Sequence, residues 1–299
     1  MFNDFIIAAA PKIGVGQDLL AMAEQYAEEH PADFTPGKIT AYSKSYKELP
    51  PLGRLALALF CLRPAKEQYD ALGISDEVFV KTFSDIGIWC ERLYKNTGKY
   101  GLEQFGWIAK HLSLKLFRLG RLQFEMIDFK FFPITKRKMR KEYAFLSGKK
   151  ALSVHIAEGE PMGDDACSQS FAAAEEFFPK HFPDFDFKAY YCASWLLYPK
   201  NTEWMPKDGN IVKFMSRFIN IGGIALPFQT FERLWQPLVG KGFYHQLYQL
   251  VAGKPKNLSE LPENTSLQRA AKKYLQDGGR MGTGLGIILK GDAAQLRDK

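Results

Sequence analysis

Gly120-Arg121-Leu122-Gln123-Phe124-Glu125 and, further on, Ser153-Val154-His155-Ile156 alternate polar and apolar residues throughout. A period of two belongs to a β-strand with one face on a core and the other accessible. On the first strand Leu122, Phe124 and Met126 point one way, and Arg121, Gln123 and Glu125 the other. On the second, Val154 and Ile156 go to the core and Ser153, His155 and Ala157 oppose them. If the two strands are neighbours, an acid, a base and a cation share one surface.

Upstream the pattern is helical. Leu19, Leu20, Ala23 and Tyr26 share a helical face, and residues 52–72 are rich in Leu and Ala up to a Leu72-Gly73 stop. Ser75-Asp76-Glu77 reads as a capped start, followed by a stripe of Phe79, Phe83, Ile86 and Cys90. Phe105, Ile108, Ala109, Leu112 and Leu116 form another stripe. No strand-like alternation intervenes, so residues 1–117 are expected as an all-helical N-terminal domain.

Downstream, strands interleave with helices. A helix is expected over 164–178, capped by Asp164 or Asp165, and strands over 188–197, 211–219 and 285–289. In the first of these, Tyr191, Ala193, Trp195 and Leu197 lie on one side, with Cys192 and Ser194 on the accessible one. A strand is also read over 243–250, residues 231–238 fit no single pattern, and Thr265-Ser266 opens a helix that Gly278-Gly279 stops. Residues 118–299 therefore form a mixed sheet layered with helices, and the fold class is α+β.

Bulk properties bound the function. Forty Lys+Arg against 33 Asp+Glu leave +7, which favours anionic ligands but falls short of a nucleic-acid-binding signature. Cys61, Cys90, Cys167 and Cys192 are scattered and read as free thiols of a reducing compartment. The five histidines lack HxxxH or HExxH spacing, so no metal site is expected. The apolar stretches at 5–10 and 55–62 are too short or wrongly flanked for a signal peptide or a span. A soluble cytoplasmic protein with no membrane and no nucleic-acid partner is expected.

The ordered set Trp107-Ile108, Gly120-Arg121-Leu122-Gln123-Phe124-Glu125, His155-Ile156, Ser194-Trp195-Leu196-Leu197, Asn210-Ile211-Val212-Lys213-Phe214, Leu261-Pro262, Thr265-Ser266-Leu267-Gln268-Arg269-Ala270 and Gly279-Arg280-Met281-Gly282 resembles a bacterial family. Its members are two-part acyltransferases with a helical N-terminal domain and a C-terminal domain like the GNAT superfamily of N-acetyltransferases. The resemblance spans nearly the whole chain. It implies a GNAT-like mixed sheet, acyl-CoA as co-substrate and a small-molecule amine as acceptor.

The sequence departs from that family in two places. Gly209 stands where a Ser is expected before Asn210. GNAT enzymes hold the CoA pyrophosphate on a glycine-rich loop that opens a helix. Here Arg280-Met281-Gly282-Thr283-Gly284-Leu285-Gly286 has Thr283 at the first glycine position and runs into an apolar strand.

Within this frame His155 is the expected general base, since an imidazole titrates near neutrality, with Glu125 second. Ser194, like Cys192, is read as a nucleophile or as the acid for the leaving thiolate. Arg121, Gln123, Trp195 and Arg217 are placed on the substrate, and Arg280, Gly282 and Gly284 on the cofactor, in a groove between the two domains. The basic cluster Lys136, Arg137, Lys138, Arg140 and Lys141 reads as a solvated loop between strands. The alternative to catalysis is a non-catalytic ligand-binding protein that keeps the sheet and has lost the donor site.

Overall fold

A computed structural model of the chain describes residues 2–235 and 258–291. Nine helices lead: α1 Asp4–Ala9, α2 Gln17–Glu29, α3 Pro36–Thr40, α4 Tyr42–Ser45, α5 Pro51–Phe60, α6 Leu62–Ala71, α7 Asp76–Phe83, α8 Asp85–Thr97 and α9 Phe105–Leu112. Their starts follow ordinary chemistry. Pro51 opens α5 where no N–H is needed, and the Ser75 hydroxyl accepts the Val78 amide at the head of α7. Leu55 to Leu59 in α5 are fully buried, so this helix is a core element. Close packing explains Gly53, where a β-carbon would lie 2.8 Å from the Tyr26 ring.

The strands follow: β1 Leu116–Leu119, β2 Leu122–Asp128, then α10 Arg137–Glu142, β3 Lys150–Ile156, α11 Asp164–His181, β4 Ala189–Ser194, α12 Asn210–Ser216, β5 Ile219–Ile224, α13 Phe228–Leu234, α14 Ser266–Gln276 and β6 Thr283–Leu289. The sheet order is β1-β2-β3-β4-β6-β5. The β1–β2 hairpin is antiparallel, turned at Gly120 with φ 71°; β3 and β4 are parallel, and β6 pairs antiparallel with both β4 and β5. Thus β2 and β3 are neighbours, as the opening condition required. Helix α14 carries a complete capping box between Thr265 and Gln268.

By compactness the chain divides into two units. The first holds residues 1–125, 156–160 and 176–184; the second holds 126–155, 161–175 and 185–299. In the second, Phe129, Leu146, Ala151, Ala189, Tyr191, Ile221, Leu285 and Ile287 make a common core. No helix among the described residues is long and apolar enough to cross a membrane.

Several local expectations change. Leu116 begins β1 and does not extend the helix, because α9 ends at Leu112 and Leu114 takes φ 55° to reverse the chain. Residues 211–219 do not form one strand: α12 occupies most of them and β5 starts at Ile219. The Ile211-Val212 pair suggested a strand, yet only Phe214 of α12 is buried, so tertiary packing overrode β propensity. Residues 228–234 are helical, and 243–250 lie outside the described residues.

The strand expected over 188–197 stops at Ser194, whose side chain accepts the Leu196 amide at 3.2 Å and turns Trp195–Leu197 into a 3-10 helix. Asn201 Nδ2 donates to the carbonyls of Trp195 and Leu196 and holds that turn. Strand β4 is buried on both faces: Tyr191 is buried as expected, but Cys192 and Ser194 are buried too, and Ala193 is the exposed residue of the strand.

Candidate active site

The parallel pair β3–β4 is matched at Ala151↔Ala189, Leu152↔Tyr190 and Ser153↔Tyr191, and there its register ends. Strand β3 runs on through Val154, His155 and Ile156, while β4 continues through Cys192, Ala193 and Ser194, still matched to β6. The two strands therefore part over their carboxyl ends. Ala193, beside this parting, sits on an inner strand between β3 and β6 and is nevertheless exposed. His155 is half-buried on the parting end of β3. Open α/β arrangements bind ligands beyond the carboxyl ends of their parallel strands.

Helix α11 is the crossover from β3 to β4, so its N-terminus follows this end of β3. The Gly163 carbonyl accepts the Cys167 amide and marks the helix start. A β-carbon on Gly163 would meet nothing within 4 Å, so space lies beside the first turn. First-turn amides have no acceptor within a helix and form a local positive pole.

Arg217, just past α12, packs on the same turn. Its side chain is 6% exposed and pairs with the Asp164 carboxylate; Nη2 also donates to the Asp164 carbonyl at 3.0 Å and to Ser168 Oγ at 2.8 Å. Its Nη1 is buried with no hydrogen-bond partner. An unsatisfied guanidinium donor in that position is costly unless something else accepts from it.

In the first unit, three arginines hold residues 157–160. Arg121 donates to the carbonyls of Ala157 (2.8 Å) and Glu160 (2.7 Å), Arg92 pairs with Glu158 at 2.8 Å, and Arg118 with Glu160 at 2.7 Å. Arg121 thus lies buried against backbone carbonyls. Gln123 is buried too, donating to Asp85 Oδ2 at 2.6 Å. The same oxygen accepts from Trp107 Nε1 at 2.7 Å and His111 Nε2 at 3.0 Å, while His111 Nδ1 meets the Leu116 carbonyl at 2.8 Å. Both ring nitrogens are thus held within hydrogen-bond distance of an oxygen. Burial alone would raise the Asp85 carboxyl; His111, then Gln123 and Trp107, outweigh it and hold the group below the ordinary carboxylate value. Glu125 pairs with Lys110 at 2.8 Å. The polar side of this segment is therefore covered at Arg121 and Gln123, contrary to its expected accessibility.

The remaining candidates lie in the second unit. Trp195 is 9% exposed, and its amide donates to Gln229 Oε1 at 2.8 Å. Cys192 is fully buried, and burial pushes its thiol up to about 12, away from nucleophilic use. Gly284 lies inside β6, matched to both β4 and β5, where a β-carbon would come within 1.9 Å of the Leu197 carbonyl oxygen. At Gly282 it would meet the Ile224 carbonyl oxygen at 2.3 Å. Both glycines serve close packing of backbone, and they lead into or lie within strand β6. Sequence reasoning missed residues 157–163, the loop that does open a helix after a strand; Gly159 and Gly163 ahead of Asp164-Asp165 were its signal. Among the described residues no group of three or more His, Cys, Asp or Glu is arranged to hold a metal.

Comparison with known proteins agrees with this architecture. Residues 116–288 match the GNAT-like C-terminal domain, and residues 4–114 match the N-acyltransferase N-terminal domain. Among solved structures, an acyltransferase in complex with decanoyl-CoA and teicoplanin is 20% identical, with TM-score 0.74 over 97% of this chain and 88% of that one. An acyltransferase in complex with CoA and 10C-teicoplanin is 22% identical, with TM-score 0.64 over 83% of this chain and 68% of that one. No curated protein matches. The chain belongs to the family defined by the GNAT-like C-terminal domain, carried here behind an N-acyltransferase N-terminal domain.

Proposed function

We propose that the protein is an N-acyltransferase that moves an acyl group from acyl-CoA to an amine of a small molecule. The parting of β3 and β4, with Ala193 exposed between inner strands, is the observation that carries this reading. A thioester laid into that opening meets strand-edge amides, and each donor aimed at the developing oxyanion contributes about 3–4 kcal/mol in studied enzymes. The structural relatives, solved with CoA, decanoyl-CoA and teicoplanin, support the same donor class and a small-molecule acceptor.

In this reading the donor phosphates lie at the first turn of α11, and not at Arg280, Gly282 and Gly284. Arg217 Nη1 supplies the charged donor there. His155 takes the proton of the attacking amine, directly or through water, as the nitrogen bonds to the carbonyl carbon and the carbon–sulfur bond breaks. Ser194 protonates the leaving thiolate and regains a proton from solvent; its Oγ already accepts the Leu196 amide, which leaves its hydrogen to donate.

Denaturant titration with acetyl-, octanoyl- and decanoyl-CoA tests the donor. A ligand at about a hundredfold over its dissociation constant adds about 2.7 kcal/mol. No stabilisation by any acyl-CoA sinks the reading. Stabilisation without release of free CoA thiol, across a panel of amines, favours the non-catalytic alternative.

A further inference from the structure

Residues 130–150 contain eight cations (Lys130, Lys136, Arg137, Lys138, Arg140, Lys141, Lys149 and Lys150) and one acid, Glu142. Subtracting them from 40 and 33 leaves 32 cations and 32 acids, so this one segment carries the whole +7 excess. It also holds two of the most exposed large apolar side chains described, Phe132 at 50% and Phe145 at 58%.

The segment is firmly built. Ile134, Met139 and Tyr143 pack against the core of the second unit. Arg140 is turned inward, donating to the carbonyls of Phe132 and Thr135, and the Phe132 ring lies parallel on Tyr191 at 6.0 Å. Arg137, Lys138 and Lys141 remain exposed on α10 with no ion pair among the described residues.

We infer that this surface docks onto an anionic lipid bilayer, with Phe132 and Phe145 entering the headgroup layer and Arg137, Lys138 and Lys141 meeting lipid phosphates. Interfacial binding needs apolar side chains beside cations and no spanning helix, so it departs from the expectation of no membrane partner. The exposed rings favour lipid: Phe132 and Phe145 beside the cations gain apolar burial on entering a headgroup layer. The inference stands apart from the catalytic reading, since none of these residues is given a part in catalysis or donor binding.

Co-sedimentation of the full chain with vesicles tests it. Binding is expected to phosphatidylcholine vesicles containing phosphatidylglycerol and not to phosphatidylcholine alone, and it should weaken as salt rises. Each cation lost from α10 should reduce partitioning by roughly fivefold. The Arg137→Glu, Lys138→Glu, Lys141→Glu triple variant should stay in the supernatant with its melting temperature unchanged, and Phe145→Ala should bind more weakly. Equal binding to both vesicle types, no binding to the anionic ones, or native binding by a folded triple variant overturns the proposal. So does salt-sensitive association with an oligonucleotide or an acidic protein when anionic vesicles are ignored.

Discussion

Two polar clusters in this molecule look alike by residue type and differ in how completely they are satisfied. Around Asp85, one carboxylate oxygen accepts from Trp107, His111 and Gln123, and the second His111 nitrogen finds the Leu116 carbonyl. Each of these side-chain donors has its acceptor within the fold. At the head of α11, Arg217 binds Asp164 and Ser168 but leaves Nη1 buried without an acceptor. Saturated polar groups hold a fold together; a built cluster with one donor left over is prepared for something that arrives later.

The contrast makes its largest claim at Asp85. Asp85→Ala strands three buried donors and should cost about 3–5 kcal/mol in denaturant unfolding. A loss below about 1 kcal/mol would deny the cluster its structural role. Its pH dependence has a definite sign. Because the folded carboxyl is held below its ordinary value of about 4, its stabilisation is complete above that pH and fades as acid brings the pH through the folded value. Asp85→Asn should remove that acid-side loss while lowering stability at neutral pH.

Gly284→Ala comes next. A methyl 1.9 Å from the Leu197 carbonyl oxygen forces β6 from its neighbours, and about 3 kcal/mol should be lost. Acyl-CoA affinity per folded molecule should hold, because the donor phosphates are assigned to α11. Loss of affinity without loss of stability would return Gly284 to the donor site.

His155→Ala should lower turnover about a hundredfold with melting temperature unchanged, as expected for loss of a general base. Undiminished turnover would end that assignment. Arg217→Met is the finest test of the opening contrast. It should weaken acyl-CoA binding about tenfold, the worth of a hydrogen bond to a charged group. Stability should change little, because Asp164 at the positive end of α11 remains favourably placed. If Arg217→Met unfolds the protein as Asp85→Ala does, the two clusters are the same kind of object.

Legibility in the sequence followed the range of the forces involved. Thr265-Ser266 announced α14 because a helix cap closes within a few residues, and Ser75 announced α7 for the same reason. Alternation marked β2 and β3 correctly, but it could not report what covers their polar sides. Gln123 looked solvent-facing because nothing nearby in sequence reveals Asp85, 38 positions away. Likewise Ala193 was assigned to the core and Ser194 to the surface, since the parting of β3 from β4 depends on partners far along the chain.

From the sequence alone came the helical first part, the mixed sheet behind it, most strand positions and the family resemblance, all of which rest on local periodicity and ordered motifs. Tertiary structure alone decided which polar residues are consumed in packing and which remain available. Burial and hydrogen-bond partnership are properties of neighbours in space. Arg121 and Arg217 are chemically identical, and only the carbonyls around one and the unaccepted Nη1 of the other set them apart.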